Sequence, residues 1–144
     1  MPQIKTIILL LLLISSQAIA KSKDIYDPTQ NVFENYYEAL KTATTTHKNI
    51  FVIAGGNWCR WCYKFEKDLK ELKLDKVIEK DFVFIKANWS DENKNEDFFN
   101  LFPEITAFPH IMIISKDGEL LESRNVSFSE EEFREILRKY SITA

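Results

Sequence analysis

The stretch from Ile50 to Leu72 constrains the fold most strongly. Ile50 to Ala54 is an unbroken apolar run of strand length that ends at Gly55-Gly56. From Trp61 onward, Phe65, Leu69 and Leu72 recur at helical spacing. Lys64/Asp68 and Glu66/Lys70 add i,i+4 pairs on the polar face of that helix. A second apolar strand follows at Phe82 to Ala87. A buried strand, a two-glycine loop, an amphipathic helix and a second strand make a crossover unit, which predicts parallel, right-handed strands. Cys59 and Cys62 fall where the loop becomes helix.

The flanking segments complete an α/β pattern. Val32, Phe33, Tyr36, Tyr37 and Leu40 mark one face of a helix ahead of the first strand. Glu96 to Phe102 reads as a short helix stopped by Pro103. Ile111 to Ile114 is a third strand, Asp117-Gly118 a hairpin turn, and Glu119 to Ser123 an antiparallel fourth strand. Ser129 and Glu132 form a capping box for a last helix with Phe133, Ile136, Leu137 and Tyr140 on one face. The expected architecture is a mixed central β-sheet flanked by helices on both faces. At 144 residues with 45% hydrophobic content, the chain supports one core and excludes a disordered or collagen-like protein. Its net charge of −3 argues against nucleic acid as a partner.

The first twenty residues read differently from the rest. Lys5 precedes an Ile/Leu run from Ile7 to Ile14, and Ala18-Ile19-Ala20 forms an A-x-A cleavage pattern. That is the pattern of a secretory signal peptide over residues 1–20, leaving a domain over residues 21–144. The apolar run is too short for a spanning helix, so no stable membrane anchor is expected. The mature chain is expected in the periplasm or outside the cell, where disulfides persist.

Both cysteines of the chain lie in Cys59-Arg60-Trp61-Cys62. A thiol at a helix N-terminus faces unpaired backbone N–H groups and the positive end of the helix dipole. Both favour thiolate over thiol, and Arg60 adds a nearby positive charge. Cys62 lies one turn on, within reach of a mixed disulfide on Cys59. The spacing therefore supplies a nucleophile, expected to be the more exposed of the two, and a resolving thiol buried behind it.

Trp58-Cys59-Arg60-Trp61-Cys62 after a strand, with Phe108-Pro109 before a later strand, resembles the thioredoxin-like superfamily. The stretch Asn57 to Glu66 is most similar to periplasmic thioredoxin-like proteins and to the soluble thioredoxin-like domain of the membrane disulfide reductant conductor. The resemblance implies a thioredoxin fold and a thiol:disulfide oxidoreductase with Cys59 and Cys62 as catalytic residues. It also implies a cis Pro109, a substrate platform at Phe108 and Pro109, and a Trp58 that shields the disulfide. Arg60 and Trp61 complete the expected substrate-binding set. One departure stands out: the family's buried Asp, six residues before the first cysteine, is replaced by Ile53. Lys86, at the position of that acid's usual lysine partner, then points to solvent or to another acid.

No metal or organic cofactor is required by this chemistry. The expected partners are substrate proteins bearing thiols or disulfides and a redox partner such as a membrane electron carrier, with the chain acting as a monomer. Two other readings use the same residues. Cys59, Cys62 and His110 are soft donors that suit Cu(I) if they converge, and a permanent bridge would make a redox-silent interaction module. Asp91, Asn93, Asn95 and Asp97 fail as a calcium loop, because Glu96 and Phe102 occupy the positions that need Gly and Glu. Asn88-Trp89-Ser90 and Asn125-Val126-Ser127 are glycosylation sequons.

Overall fold

The computed structural model describes residues 23–127 and 129–141. The expected signal peptide and its cleavage point lie outside them. The elements run α1 (Val32–Thr46), β1 (Ile50–Gly55), α2 (Arg60–Glu71), α3 (Leu74–Asp81), β2 (Val83–Asn88), α4 (Glu96–Phe99), β3 (His110–Ile114), β4 (Leu120–Asn125) and α5 (Glu130–Tyr140). The four strands form one sheet in the order β2-β1-β3-β4. β1 pairs parallel with β2 and antiparallel with β3, and β3 pairs antiparallel with β4. This is the mixed sheet that the crossover and the hairpin dictate.

Every residue of β1 is buried, because helices cover both faces of the sheet. Ile50, Val52 and Ala54 pack with Val32, Tyr36, Ala39 and Ala43 of α1, Phe98 of α4, and Met112 and Ile114 of β3. Phe51 and Ile53 turn to the other face, against Phe65 and Leu69 of α2, Leu74 and Ile78 of α3, and Phe133, Ile136 and Leu137 of α5. The uninterrupted apolar run is thus the signature of a strand buried on both sides. The caps also follow the sequence. Asn31 Oδ1 accepts from Glu34 N at the start of α1, and Ser129 and Glu132 form the full capping box of α5.

No helix was expected over Leu74–Asp81. The chain breaks after α2 at Lys73, which adopts left-handed φ 57° and ψ 25° and is followed at once by α3. Neither glycine nor proline marks this break, so the helical spacing runs on through it. Leu72, assigned to the buried face of α2, sits at the C-cap and is exposed. α4 stops at Phe99, three residues short of its expected end, and Phe102 instead meets Tyr36 and Phe98 edge-on with centroids 5.8 and 5.4 Å apart. Asn88 of the first sequon is buried, whereas Asn125 of the second is exposed.

Lys73 carries a Cβ in a conformation that glycine adopts without steric cost. Lys73→Gly is expected to stabilise the fold by about 0.5–1 kcal/mol, read as a higher denaturation midpoint. A lower midpoint would show that the turn depends on the lysine side chain.

Candidate active site

Strand register brings three chain segments to the carboxyl end of β1. Gly55 pairs with Asn88 in the parallel ladder, and Trp89 N donates to Gly55 O at 2.7 Å. Ala54 pairs with His110 in the antiparallel ladder, which sets Phe108-Pro109 beside the glycine loop. The Phe108–Pro109 bond is cis, as the resemblance implies. Residues distant in sequence thereby surround the N-terminus of α2.

Cys59 and Cys62 are joined as a disulfide, with Cα atoms 5.2 Å apart. Cys59 is the N-cap of α2, and its Sγ accepts from the Cys62 backbone N–H at 3.1 Å. That donor, together with the helix dipole, is aimed at the atom that would carry negative charge in a Cys59 thiolate. Burial does not separate the two sulfurs as expected: Cys59 is 4% exposed and Cys62 2%. Phe108 and Tyr26 pack over the pair and cover the first cysteine as well as the second. What distinguishes Cys59 is its place at the helix start.

An aromatic wall stands beside the disulfide. Trp58 Nε1 donates to Trp89 O at 2.7 Å, which fixes the indole although its ring is 56% exposed. Phe108 meets Trp58 edge-on, with centroids 5.7 Å apart, and stacks on Trp89 at 5.4 Å. Gly56 permits this closeness, because a Cβ there would lie 2.7 Å from Trp89 O and collide with the Trp58 ring. Trp61, between the cysteines, is 64% exposed, and Arg60 is exposed at the first position of α2. A cleft of about 430 Å³ runs from Trp61 past Phe65 to Phe108, Pro109 and Val126. Of the expected residues, Trp61, Phe108 and Pro109 line this cleft and Trp58 packs on Phe108. Trp89 escaped notice, although the parallel register of β1 and β2 was enough to place it.

Glu66 and Lys86, both close to Tyr26, are residues whose roles the sequence left open. Ile53 is buried in the apolar core, as its replacement of an acid predicts. Lys86, its partner across the parallel ladder, pairs with Glu66 Oε2 at 2.7 Å, and Lys70 pairs with Glu66 Oε1 at 3.0 Å. Burial would raise the Glu66 carboxyl, but hydrogen bonds and charge from Lys86 and Lys70 outweigh it and hold the group below its ordinary value. The acid has moved from the strand to the helix, and it is spoken for by two lysines.

Tyr26, buried ahead of α1, packs against both cysteines. Its backbone is fastened to the active-site loop. Ile25 N and Tyr26 N donate to Asn57 Oδ1 at 3.0 and 2.9 Å, and Asn57 Nδ2 donates to Tyr26 O at 2.9 Å. Neither Tyr26 nor the clamping role of Asn57 was apparent from sequence. The one available hint was the Ile25-Tyr26 pair just ahead of Asp27-Pro28 in a largely polar segment.

His110 does not join the cysteines. It alternates with Ile111, which packs on the α2 side, and its Nε2 lies 2.8 Å from Ser123 Oγ on β4. Burial pushes its imidazole down, and a backbone hydrogen bond to Ala107 opposes this. Among the described residues no three His, Cys, Asp or Glu side chains are grouped to hold a metal ion. The soft-metal reading therefore lacks its third donor.

The thioredoxin-like family model matches residues 30–116. A search of the curated proteins finds no match. Among solved structures, a disulphide isomerase from Xylella fastidiosa Temecula1 superposes with a TM-score of 0.70 at 20% identity, covering 82% of this chain and 97% of that one. The oxidised C-terminal domain of DsbD from Neisseria meningitidis gives 0.58 at 14% identity, over 75% of this chain and 95% of that one. A DsbH oxidoreductase gives 0.58 at 18%, over 73% and 80%. At these identities the likeness is one of fold.

Two expected outcomes follow from the packing and charge. A Cβ on Gly55 would lie 2.6 Å from Cys62 Sγ and 2.7 Å from Tyr26 Oη. Gly55→Ala should therefore destabilise the oxidised protein by about 1–3 kcal/mol in chemical denaturation, and an unchanged midpoint would mean that Tyr26 yields freely. The depressed Glu66 carboxyl contributes stability that is present above its ordinary value of 4.5 and is lost as pH falls through its folded value. Glu66→Gln should flatten the fall in stability below that pH. A wild-type slope in the variant would show that the ion pair contributes nothing to folding.

Proposed function

The chain belongs to the thioredoxin-like family, and from that premise we propose that it exchanges disulfides with substrate proteins through Cys59 and Cys62. The observation that carries this reading is the Cys59–Cys62 bridge at the N-terminus of α2, set beside Phe108-Pro109 and two exposed tryptophans. A bridge that served only stability would not need an aromatic face held open around it.

In the reducing direction the Cys59 thiolate attacks one sulfur of a substrate disulfide. A Cys59–substrate bond forms, and the other substrate sulfur leaves as thiolate. Cys62 then attacks Cys59, forming the Cys59–Cys62 bond and releasing the second substrate sulfur, so the substrate gains the two electrons the dithiol loses. The reverse sequence oxidises a substrate dithiol. We favour reduction or isomerisation, in keeping with the resemblance to the reductant-conductor domain. Sustained reduction requires a redox partner to return the pair to the dithiol, and a membrane electron carrier fits an extracytoplasmic protein. No helix among the described residues is long and apolar enough to cross a membrane. Phe108, Pro109, Trp58 and Trp61 form the surface on which a substrate chain docks, and Arg60 borders it.

Cys62→Ser is the direct test. The variant should accumulate a mixed disulfide through Cys59, visible as a mass increase that a reductant reverses. In the reduced wild type, an alkylating agent at neutral pH should modify Cys59 ahead of Cys62. Absence of the trapped species together with faster labelling of Cys62 would sink the assignment.

A further inference from the structure

With Ile53 in place of an acid and Glu66 engaged by Lys86 and Lys70, the residue left facing Cys62 with a proton to offer is Tyr26. We propose that the Tyr26 hydroxyl is the positioning hydrogen-bond donor of the resolving cysteine, steadying the Cys62 thiolate while it attacks Cys59. The proposal rests on the exchange chemistry above and assigns that chemistry a residue from outside the strands and helices.

Three observations carry it. First, Tyr26 Oη and Cys62 Sγ abut the same point over Gly55, at 2.7 and 2.6 Å from where a Cβ would stand. Second, the loop holds the tyrosine there: two hydrogen bonds with Asn57 fix its backbone and a third fixes Ile25 N, and Asn57 lies two residues before Cys59. The ring is 5% exposed, and Lys86 Nζ lies 5.5 Å from its centroid. Third, the charged groups nearby cannot take the role. Glu66 from α2 is engaged by Lys86 of β2 at 2.7 Å and by Lys70 at 3.0 Å, β1 contributes Gly55, and the adjoining loop contributes Phe108. Burial pushes the Tyr26 phenol far above its ordinary value, and the Glu66 charge pushes it the same way. The hydroxyl therefore keeps its proton wherever thiols titrate, so it donates a hydrogen bond and never acts as the base.

The step balances without a further reagent. The Cys62 thiol gives its proton to water, and its sulfur attacks Cys59 Sγ. The Cys59–Cys62 bond forms as the Cys59–substrate bond breaks, and the substrate sulfur leaves with the electron pair. Tyr26 changes only the fraction of Cys62 that is ionised at a given pH, and with it the rate of this second step.

The test uses the full-length reduced protein and 5,5′-dithiobis(2-nitrobenzoate) as the model disulfide. One nitrothiophenolate is released when Cys59 attacks and a second when Cys62 resolves, so the two steps are read separately. In Tyr26→Phe the second release should slow roughly tenfold at neutral pH, because a hydrogen bond to a charged group is worth one pKa unit or more. Its pH midpoint should move up by about one unit, and the rate should recover at high pH. Replacing Tyr26 with 3-fluorotyrosine keeps the ring and the hydroxyl but strengthens the donor, and it should move the midpoint down. Equal midpoints in wild type and in either folded variant would overturn the proposal. A wild type that never makes the second release would instead overturn the exchange reading, and the role of Tyr26 with it.

Discussion

The parallel and antiparallel ladders on either side of β1 decide where everything else lies. Because β1 is buried on both faces, its register is fixed by packing: a slip of one residue would turn Phe51 and Ile53 into the wrong core. With the register set, Asn88 and His110 must arrive at the end of the strand where Gly55 stands. The two loops that follow or precede them, at Trp89 and at Phe108-Pro109, are then neighbours of the α2 N-terminus. The site is a by-product of sheet geometry, and its chemistry comes from placing sulfur at the one helix start that this geometry encloses.

Desolvation is the cost of that enclosure. Two sulfurs under an aromatic cover are poorly hydrated, which opposes the charged form that each must adopt in turn. Cys59 is compensated by the Cys62 amide and the helix terminus. Among the described residues no backbone N–H donates to the Cys62 sulfur, and the side chains packed with it are Cys59, the Tyr26 ring and Phe108. The division of labour between two chemically identical side chains thus follows from what each is given to lean on. Their exposure is nearly the same.

What could be read from the sequence was whatever rests on local pattern. The strand at Ile50, the capping box at Ser129 and the helix that opens with Cys59 each announce themselves through spacing or a cap. The break at Lys73 did not, because a lysine in a left-handed turn leaves no compositional mark. Site residues divided the same way. Trp58, Arg60 and Trp61 are adjacent to the cysteines in sequence, and Phe108 and Pro109 came from family resemblance. Trp89, Asn57 and Tyr26 act through contacts across 31 or more residues, and such contacts exist only once the strands are in register. The Glu66–Lys86 pair lies between these extremes: the sequence offered both residues, but only the tertiary fold joins them.

The fastening of Tyr26 by Asn57 also bears on how proteins of this shape diverge. The segment that covers Cys62 precedes α1 and contributes no strand or helix to the scaffold. Tyr26 belongs to neither of the two cores that flank the sheet and packs on the cysteines instead, so substitutions there bear first on what the second sulfur touches. A lineage can therefore retune this site by editing a short leader ahead of a fixed body, much as an instrument is adjusted at the bridge without rebuilding the frame. In such a lineage, differences in thiol behaviour would track the residues just before the first helix more closely than those of the cysteine motif itself.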